Sequence, residues 1–236
     1  MGTGRSGLSK GLKNTTRDLY REWSSQNGAE SDMRIDINRW TKDVSKDAMR
    51  ALWKYTGSFY KQSNPILRAA DHDTLSADDI LAGVSQKESA EFVAWLKNMD
   101  EGLGKYKNTK AFVGYRGSGY ALMGGRKTFE ELKAMVGSTV RDNGHMSIST
   151  VRGHEFGGDV MYEVRVPKGT GIGAYVGKLS QHSSEAEFLL NRGTIFKVVQ
   201  VTMRGHRPYV VLQVPFRITH IMRWRLQENL MWENLR

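Results

Sequence analysis

The sequence predicts an α+β fold, with a lobe of helices first and a mostly antiparallel sheet after it. Two observations point to this. Apolar residues recur at three- and four-residue spacing in the first half, as in Ala48, Leu52 and Tyr55 or Phe92, Trp95, Leu96 and Met99. After about residue 109 the period becomes two, clearest in Val160, Tyr162, Val164 and Val166 alternating with Met161, Glu163 and Arg165. Helices that precede strands, rather than alternating with them, exclude a βαβ architecture.

In chain order, residues 1–11 are rich in Gly, Ser and Lys and are expected to be a mobile basic segment. Helices are expected near 12–25, 45–56, 58–70 and 86–99. Ser85 with Glu88, and Thr128 with Glu131, have the spacing of a capping box, in which a hydroxyl and a carboxylate satisfy backbone N–H groups at a helix start. Strands are expected at 110–116, 145–150, 160–166, 172–176, 187–190, 194–203 and 208–216. Residues 12–216 therefore read as one domain, with a helical lobe over 12–108 and a β core over 109–216. The tail 217–236 has helical spacing and carries Trp224 and Trp232.

The chain of 236 residues is long enough to bury a substantial core, and 39% hydrophobic against 25% charged residues describes a globular protein. No apolar run approaches the roughly 18 residues that a membrane helix needs. The absence of cysteine excludes disulfides and thiolate chemistry. Residues 1–10 have no apolar stretch of the secretory type, so the protein is expected to act where it is made or to be delivered by another route. The net charge of +10 favours anionic partners and is uneven. Residues 1–70 hold 13 Lys/Arg against 7 Asp/Glu, whereas 71–101 hold 2 against 8.

Several familiar motifs fail. In the run Gly169-Thr170-Gly171-Ile172-Gly173-Ala174-Tyr175-Val176-Gly177 the third glycine of a dinucleotide fingerprint falls one place late and no helix follows, so a turn into a strand is expected. The stretch from Gly2 to Ser9 has Leu8 where a phosphate-binding loop needs lysine. The six histidines show no tight metal spacing, and no G-x-S-x-G elbow occurs.

Ser184-Glu185-Ala186-Glu187-Phe188-Leu189-Leu190 places two carboxylates at the head of an apolar run. If both lie in a strand, Glu185 and Glu187 share a face. Like charges held that close resist ionisation, which helps a site that handles positive charge more than it helps a fold. Upstream stand Phe112-Val113-Gly114-Tyr115-Arg116-Gly117 and His145-Met146-Ser147-Ile148-Ser149-Thr150. The three elements in this order resemble the arginine, serine, glutamate signature of the toxin-type mono-ADP-ribosyltransferases, with 31 residues from Arg116 to Ser147 and 40 from Ser147 to Glu187. Tyr55-Thr56-Gly57-Ser58-Phe59-Tyr60 and Asn64-Pro65-Ile66-Leu67-Arg68 look like the family's helical lobe, and Leu189-Leu190-Asn191-Arg192-Gly193-Thr194-Ile195-Phe196-Lys197-Val198 is similar to the strand after its glutamates. One departure is Ile148, where the family's S-T-S motif has threonine. Strand alternation turns it away from Ser147 and Ser149 and toward packing.

The resemblance implies a two-sheet β-sandwich core and the cleavage of NAD at its nicotinamide–ribose bond, with no metal. Arg116 would grip the pyrophosphate as a forked cation, beside Gly117, where backbone comes close. Ser147 and Ser149 would help to hold the dinucleotide, and Glu187 would stabilise the positive charge that develops on the ribose. Glu185 would face the acceptor. A protonated guanidinium is a poor nucleophile and needs a carboxylate to orient and deprotonate it, so Glu at this place implies arginine on a target protein. Residues 177–184 would form the mobile loop that meets that target. The implied setting is a bacterial toxin or effector, or a bacteriophage protein that modifies its host, working in a host cytoplasm with a delivery or parent protein. Two rivals remain: an NAD glycohydrolase on the same fold, separated by product analysis, and a noncatalytic basic module for nucleic acid or a phage head. The latter would show steeply salt-dependent binding and no NAD turnover.

Overall fold

The computed structural model describes residues 19–69 and 85–215. The expected basic N-terminus, the domain limits at residues 12 and 216 and the helical tail lie outside the described residues. The first described helix, α1 (Gln26–Asp43), lies at none of the expected places, and residues 12–18 of the helix expected over 12–25 lie outside the described residues. Residues 19–25 are not helical, and Arg21 and Trp23 bridge to Phe112 and Val151 in parallel fashion. The helix starts instead at Ser25, whose hydroxyl accepts a hydrogen bond from the Gly28 N–H at 3.2 Å. Its inward residues Ala29, Met33, Ile37 and Trp40 do have helical spacing, but charged residues between them and the exposed Ile35 dilute the pattern.

Helix α2 (Lys46–Lys54) runs through a π-helical turn, Tyr55–Phe59, into α3 (Tyr60–Ala69), joining two helices that the sequence separates. Such wide turns often mark functional sites, and this one carries a buried polar clamp. The Tyr55 hydroxyl and the Asn64 amide both donate to the His145 carbonyl, at 3.2 Å each, and the His145 N–H returns a bond to Asn64 Oδ1 at 3.0 Å. Helix α4 (Gln86–Lys105) and the short α5 (Phe129–Ala134) both begin at the capping boxes expected from Ser85/Glu88 and Thr128/Glu131.

The described residues form eight strands: β1 (Phe112–Ser118), β2 (Thr139–Asp142), β3 (Met146–Ser149), β4 (Val160–Val166), β5 (Gly173–Tyr175), β6 (Glu187–Leu190), β7 (Thr194–Arg204) and β8 (Arg207–Gln213). Their order is β2-β7-β8-β4-β1-β3-β6-β5, antiparallel throughout except for β4 against β8. Strand β1 pairs with β4 along its whole length but with β3 at one position, Tyr115 opposite Ser149. All eight strands are thus hydrogen-bonded into one sheet, whose parts β2-β7-β8-β4-β1 and β3-β6-β5 are joined at that single pair. Strand β2 was not foreseen, since four residues alternating polar and apolar make a weak signal. The glycine-rich run behaves as expected: Gly169 and Gly171 take positive φ of 74° and 58° in a turn that leads into β5.

The α4 and α1 aromatics meet the sheet in one core. Trp40 donates to the Gly102 carbonyl at 2.6 Å, and Phe112 packs edge-on to Phe188 with ring centroids 4.8 Å apart. Ile148 is 1% exposed and lies over Gly114, where an added Cβ would run into its side chain. The departure from the S-T-S motif thus fills space between β3 and β1.

Candidate active site

The site forms around the β1–β3 junction, where the sheet is joined at one pair. On β1, Arg116 lies opposite Tyr162 of β4, and the two share a face that opens into a cavity of about 330 Å3. Arg68 and Arg141 also line it, so three guanidinium groups face one space. Arg68, from α3, is fixed there by Asp142, which accepts from its Nε at 2.8 Å and its Nη2 at 2.9 Å. Arg116 donates from Nη1 to the Ser147 carbonyl at 2.7 Å, which ties β1 to β3 beyond their single paired position. Burial draws the Arg116 pKa below its ordinary value, with Tyr55 and Asp142 opposing.

Glu187 is the first residue of β6, directly across the ladder from Ser149, and only 5% exposed. Burial pushes its pKa up to about 7, Glu185 pushes the same way, and hydrogen bonds from Ser147 and Ser180 pull it back. Ser147 therefore touches both halves of the expected set: its carbonyl holds Arg116 and its side chain holds Glu187. The Ser149 hydroxyl is turned elsewhere. It donates to the Val151 carbonyl at 2.9 Å and accepts from the Val151 N–H at 3.2 Å, shaping the chain's exit from β3.

Glu185 departs from the expected strand geometry. It ends a 3-10 turn, Ser183–Glu185, and Ala186 then takes a left-handed φ of 48° before β6 begins. The two carboxylates are therefore not i and i+2 neighbours on one strand face. This strained shape is held by its surroundings: Thr150 donates to the Ala186 carbonyl from both its N–H and its hydroxyl, at 3.0 and 2.9 Å. Gln26 Nε2 donates to the Ser183 carbonyl at 2.7 Å, and His154 Nδ1 lies 2.9 Å from the Ser184 carbonyl. A carbonyl only accepts, so His154 carries its proton on Nδ1. Partial burial raises the Glu185 pKa, with His182 opposing. Glu185, Arg116, Ser147 and Ser149 line one narrow cleft with His154 and Glu155. Glu187 adjoins it through Ser147.

Gly117 has a different reason for lacking a side chain from the one expected. An added Cβ would strike the backbone of Phe156 and Gly157, so the close approach is made by the chain's own β3–β4 loop. The 177–184 segment is tethered: Gln181 N donates to Thr56 Oγ1 at 3.2 Å, and its Nε2 to the Trp53 carbonyl at 3.2 Å. Arg68, Arg141 and His154 were not singled out from the sequence as site residues. Each is brought in by tertiary structure, and an isolated arginine or histidine carries no spacing signal. Among the described residues, no group of three or more His, Asp or Glu stands close enough to hold a metal ion.

Known proteins supply an independent view. The family described as ADP-ribosyltransferase exoenzyme matches residues 29–215. NAD(+)--arginine ADP-ribosyltransferase EFV of Enterococcus faecalis is 25% identical over 186 residues, which are 75% of this chain and 34% of that protein. The chain thus spans about a third of the length of this curated relative. Among solved structures, the C3 exoenzyme of Clostridium limosum matches with a TM-score of 0.69 at 16% identity, covering 84% of this chain and 98% of that one. C3stau2 of S. aureus, solved with NAD, matches with a TM-score of 0.66 at 18% identity, covering 84% and 99%. These structural likenesses concern the fold, helices first and then the strand core, while the family match takes in every element from α1 to β8 except the first three residues of α1. The chain belongs to the ADP-ribosyltransferase exoenzyme family.

Proposed function

We propose that the chain is a mono-ADP-ribosyltransferase that cleaves NAD at the nicotinamide–ribose bond and passes ADP-ribose to arginine side chains of a target protein. The observation that carries this reading is a buried carboxylate, Glu187, held by Ser147 beside Arg116, with a second and more exposed carboxylate, Glu185, lining the adjoining cleft with Arg116 and Ser147. The fit of NAD rests on the three arginines around the cavity, which outnumber its one carboxylate, Asp142, and so suit a pyrophosphate in charge. The name of the Enterococcus relative, an NAD–arginine transferase, supports the arginine acceptor.

In this reading Arg116 and Arg68 hold the pyrophosphate, and Ser147 positions Glu187. The bond from ribose C1′ to the nicotinamide nitrogen breaks, and nicotinamide leaves as a neutral molecule with the bonding electrons. Ionised Glu187 stabilises the oxocarbenium character left on the sugar. Glu185 takes a proton from the incoming guanidinium, whose nitrogen then bonds to C1′. The balance is NAD and arginine giving ADP-ribosyl-arginine, nicotinamide and one proton. The setting we propose is a bacterial effector or phage protein that modifies a host protein. The test is Glu185→Gln. Arginine transfer should be lost while slow nicotinamide release persists, and equal loss of both would overturn the division of roles. Glu187-dependent nicotinamide release without transfer to any protein would favour the glycohydrolase instead.

A further inference from the structure

A second charged cavity lies on the opposite face of the sheet and has no part in the chemistry above. It measures about 290 Å3 and is lined by Tyr115, Arg152, Glu155, Arg204, Arg207 and Tyr209 with Met161. The register explains its place. Arg116 and Tyr162 are paired and face the first cavity, so their neighbours Tyr115 and Met161 point the other way, and Met161 pairs with Tyr209 of β8. Arg204 and Arg207 face each other across the β7–β8 hairpin, at its turn of Gly205 and His206.

Like charges directly opposite on an antiparallel ladder destabilise it. Among the described residues no ion pair joins either Arg204 or Arg207 to a carboxylate. Aromatic rings hold two of the three guanidinium groups, those of Arg204 and Arg152. Arg204 Cζ stands 3.3 Å over the Tyr209 ring, and Arg152 Cζ stands 4.7 Å over the Tyr115 ring while its Nη2 donates to the Tyr209 hydroxyl at 3.1 Å. The two tyrosines are in turn fixed from behind, Tyr209 donating to Glu163 at 2.7 Å and Tyr115 to Glu22 at 2.8 Å. Stacking fixes the planes of Arg204 and Arg152 and leaves donors of Arg204 pointing along its edge, an arrangement suited to a carboxylate or phosphate. Of the residues lining this cavity, three arginines stand against the single carboxylate of Glu155.

We infer that this cavity binds an acidic segment of the target protein next to the arginine that is modified. The position favours that occupant: Tyr115 and Glu155 line both this cavity and the Glu185 cleft, so a chain that presents a guanidinium to Glu185 has its flanking residues within reach of the arginines. The inference rests on the transferase reading and names a substrate preference for it.

The test uses the full chain and its Arg204→Gln/Arg207→Gln double variant, with three acceptors: a peptide with aspartates flanking one arginine, its alanine counterpart, and agmatine. The native chain should favour the acidic peptide over the alanine peptide by about tenfold in kcat/KM, mostly through KM. The variant should lose that preference with agmatine transfer and NAD cleavage unchanged. No preference in the native chain, or an equal fall with agmatine, overturns the proposal. Calorimetric titration of the acidic peptide without NAD separates this from the transferase reading. If NAD is never turned over, peptide binding that the variant abolishes still supports the site, and absence of binding sinks it. Saturable binding of inorganic phosphate with no binding of the peptide overturns the acidic-segment occupant.

Discussion

Replacing Glu187 by glutamine should make the protein more stable at alkaline pH while abolishing its activity. The carboxyl titrates at about 7 in the fold against 4.5 ordinarily, with burial as the main cause. A group whose folded pKa is raised keeps its proton in the fold where the unfolded chain has already released it. Stability therefore falls as pH rises between about 4.5 and 7, and the full cost is present above that window. A difference of about 2.5 units corresponds to about 3 kcal/mol. Glutamine has the same shape, carries no charge and can still meet Ser147 and Ser180. Urea unfolding of both proteins at several pH values reads the effect. The two curves should nearly coincide at pH 4.5 and separate by about 3 kcal/mol in favour of Glu187→Gln at pH 8. A separation that does not change with pH, or a wild-type protein that is the more stable at pH 8, would refute the argument.

Three further outcomes are expected. NAD cleavage should fall about tenfold per unit below pH 7 as Glu187 takes up its proton, and Ser147→Ala should move that midpoint upward, because the Ser147 bond lowers the pKa; an unmoved midpoint would contradict it. Arg116→Lys should raise KM for NAD about tenfold or more, since an ammonium cannot reproduce the fork; an unchanged KM would place the pyrophosphate elsewhere. Gly117→Ala should cost about 1–3 kcal/mol in urea unfolding, because the new Cβ meets the backbone of Phe156 and Gly157, and a neutral result would mean that the loop gives way freely.

What was legible in the sequence followed from local rules. The capping boxes located the starts of α4 and α5, and period-two alternation located β4 and its neighbours, because both patterns are written within a few residues. Helix α1 was missed because its buried stripe runs through a strongly charged segment, and the π-helical turn because nothing local distinguishes Tyr55–Phe59 from α-helix. The sequence points to Arg116, Ser147, Glu185 and Glu187, and they stand around one cleft and its wall. The left-handed Ala186 was not foreseeable, since Thr150 and His154, far off in sequence, hold that turn. The arginine cavity behind the sheet was equally hidden, its members coming from three separate segments.

The central claim is that Glu187 drives NAD cleavage and that the product is an ADP-ribosylated arginine. The most direct measurement incubates labelled NAD with host-cell lysate and either the native chain or Glu187→Ala, then treats the labelled proteins with hydroxylamine. The account expects labelled bands with the native chain only, removed by hydroxylamine as arginine linkages are. Labelling that persists with Glu187→Ala, or that resists hydroxylamine, would contradict it.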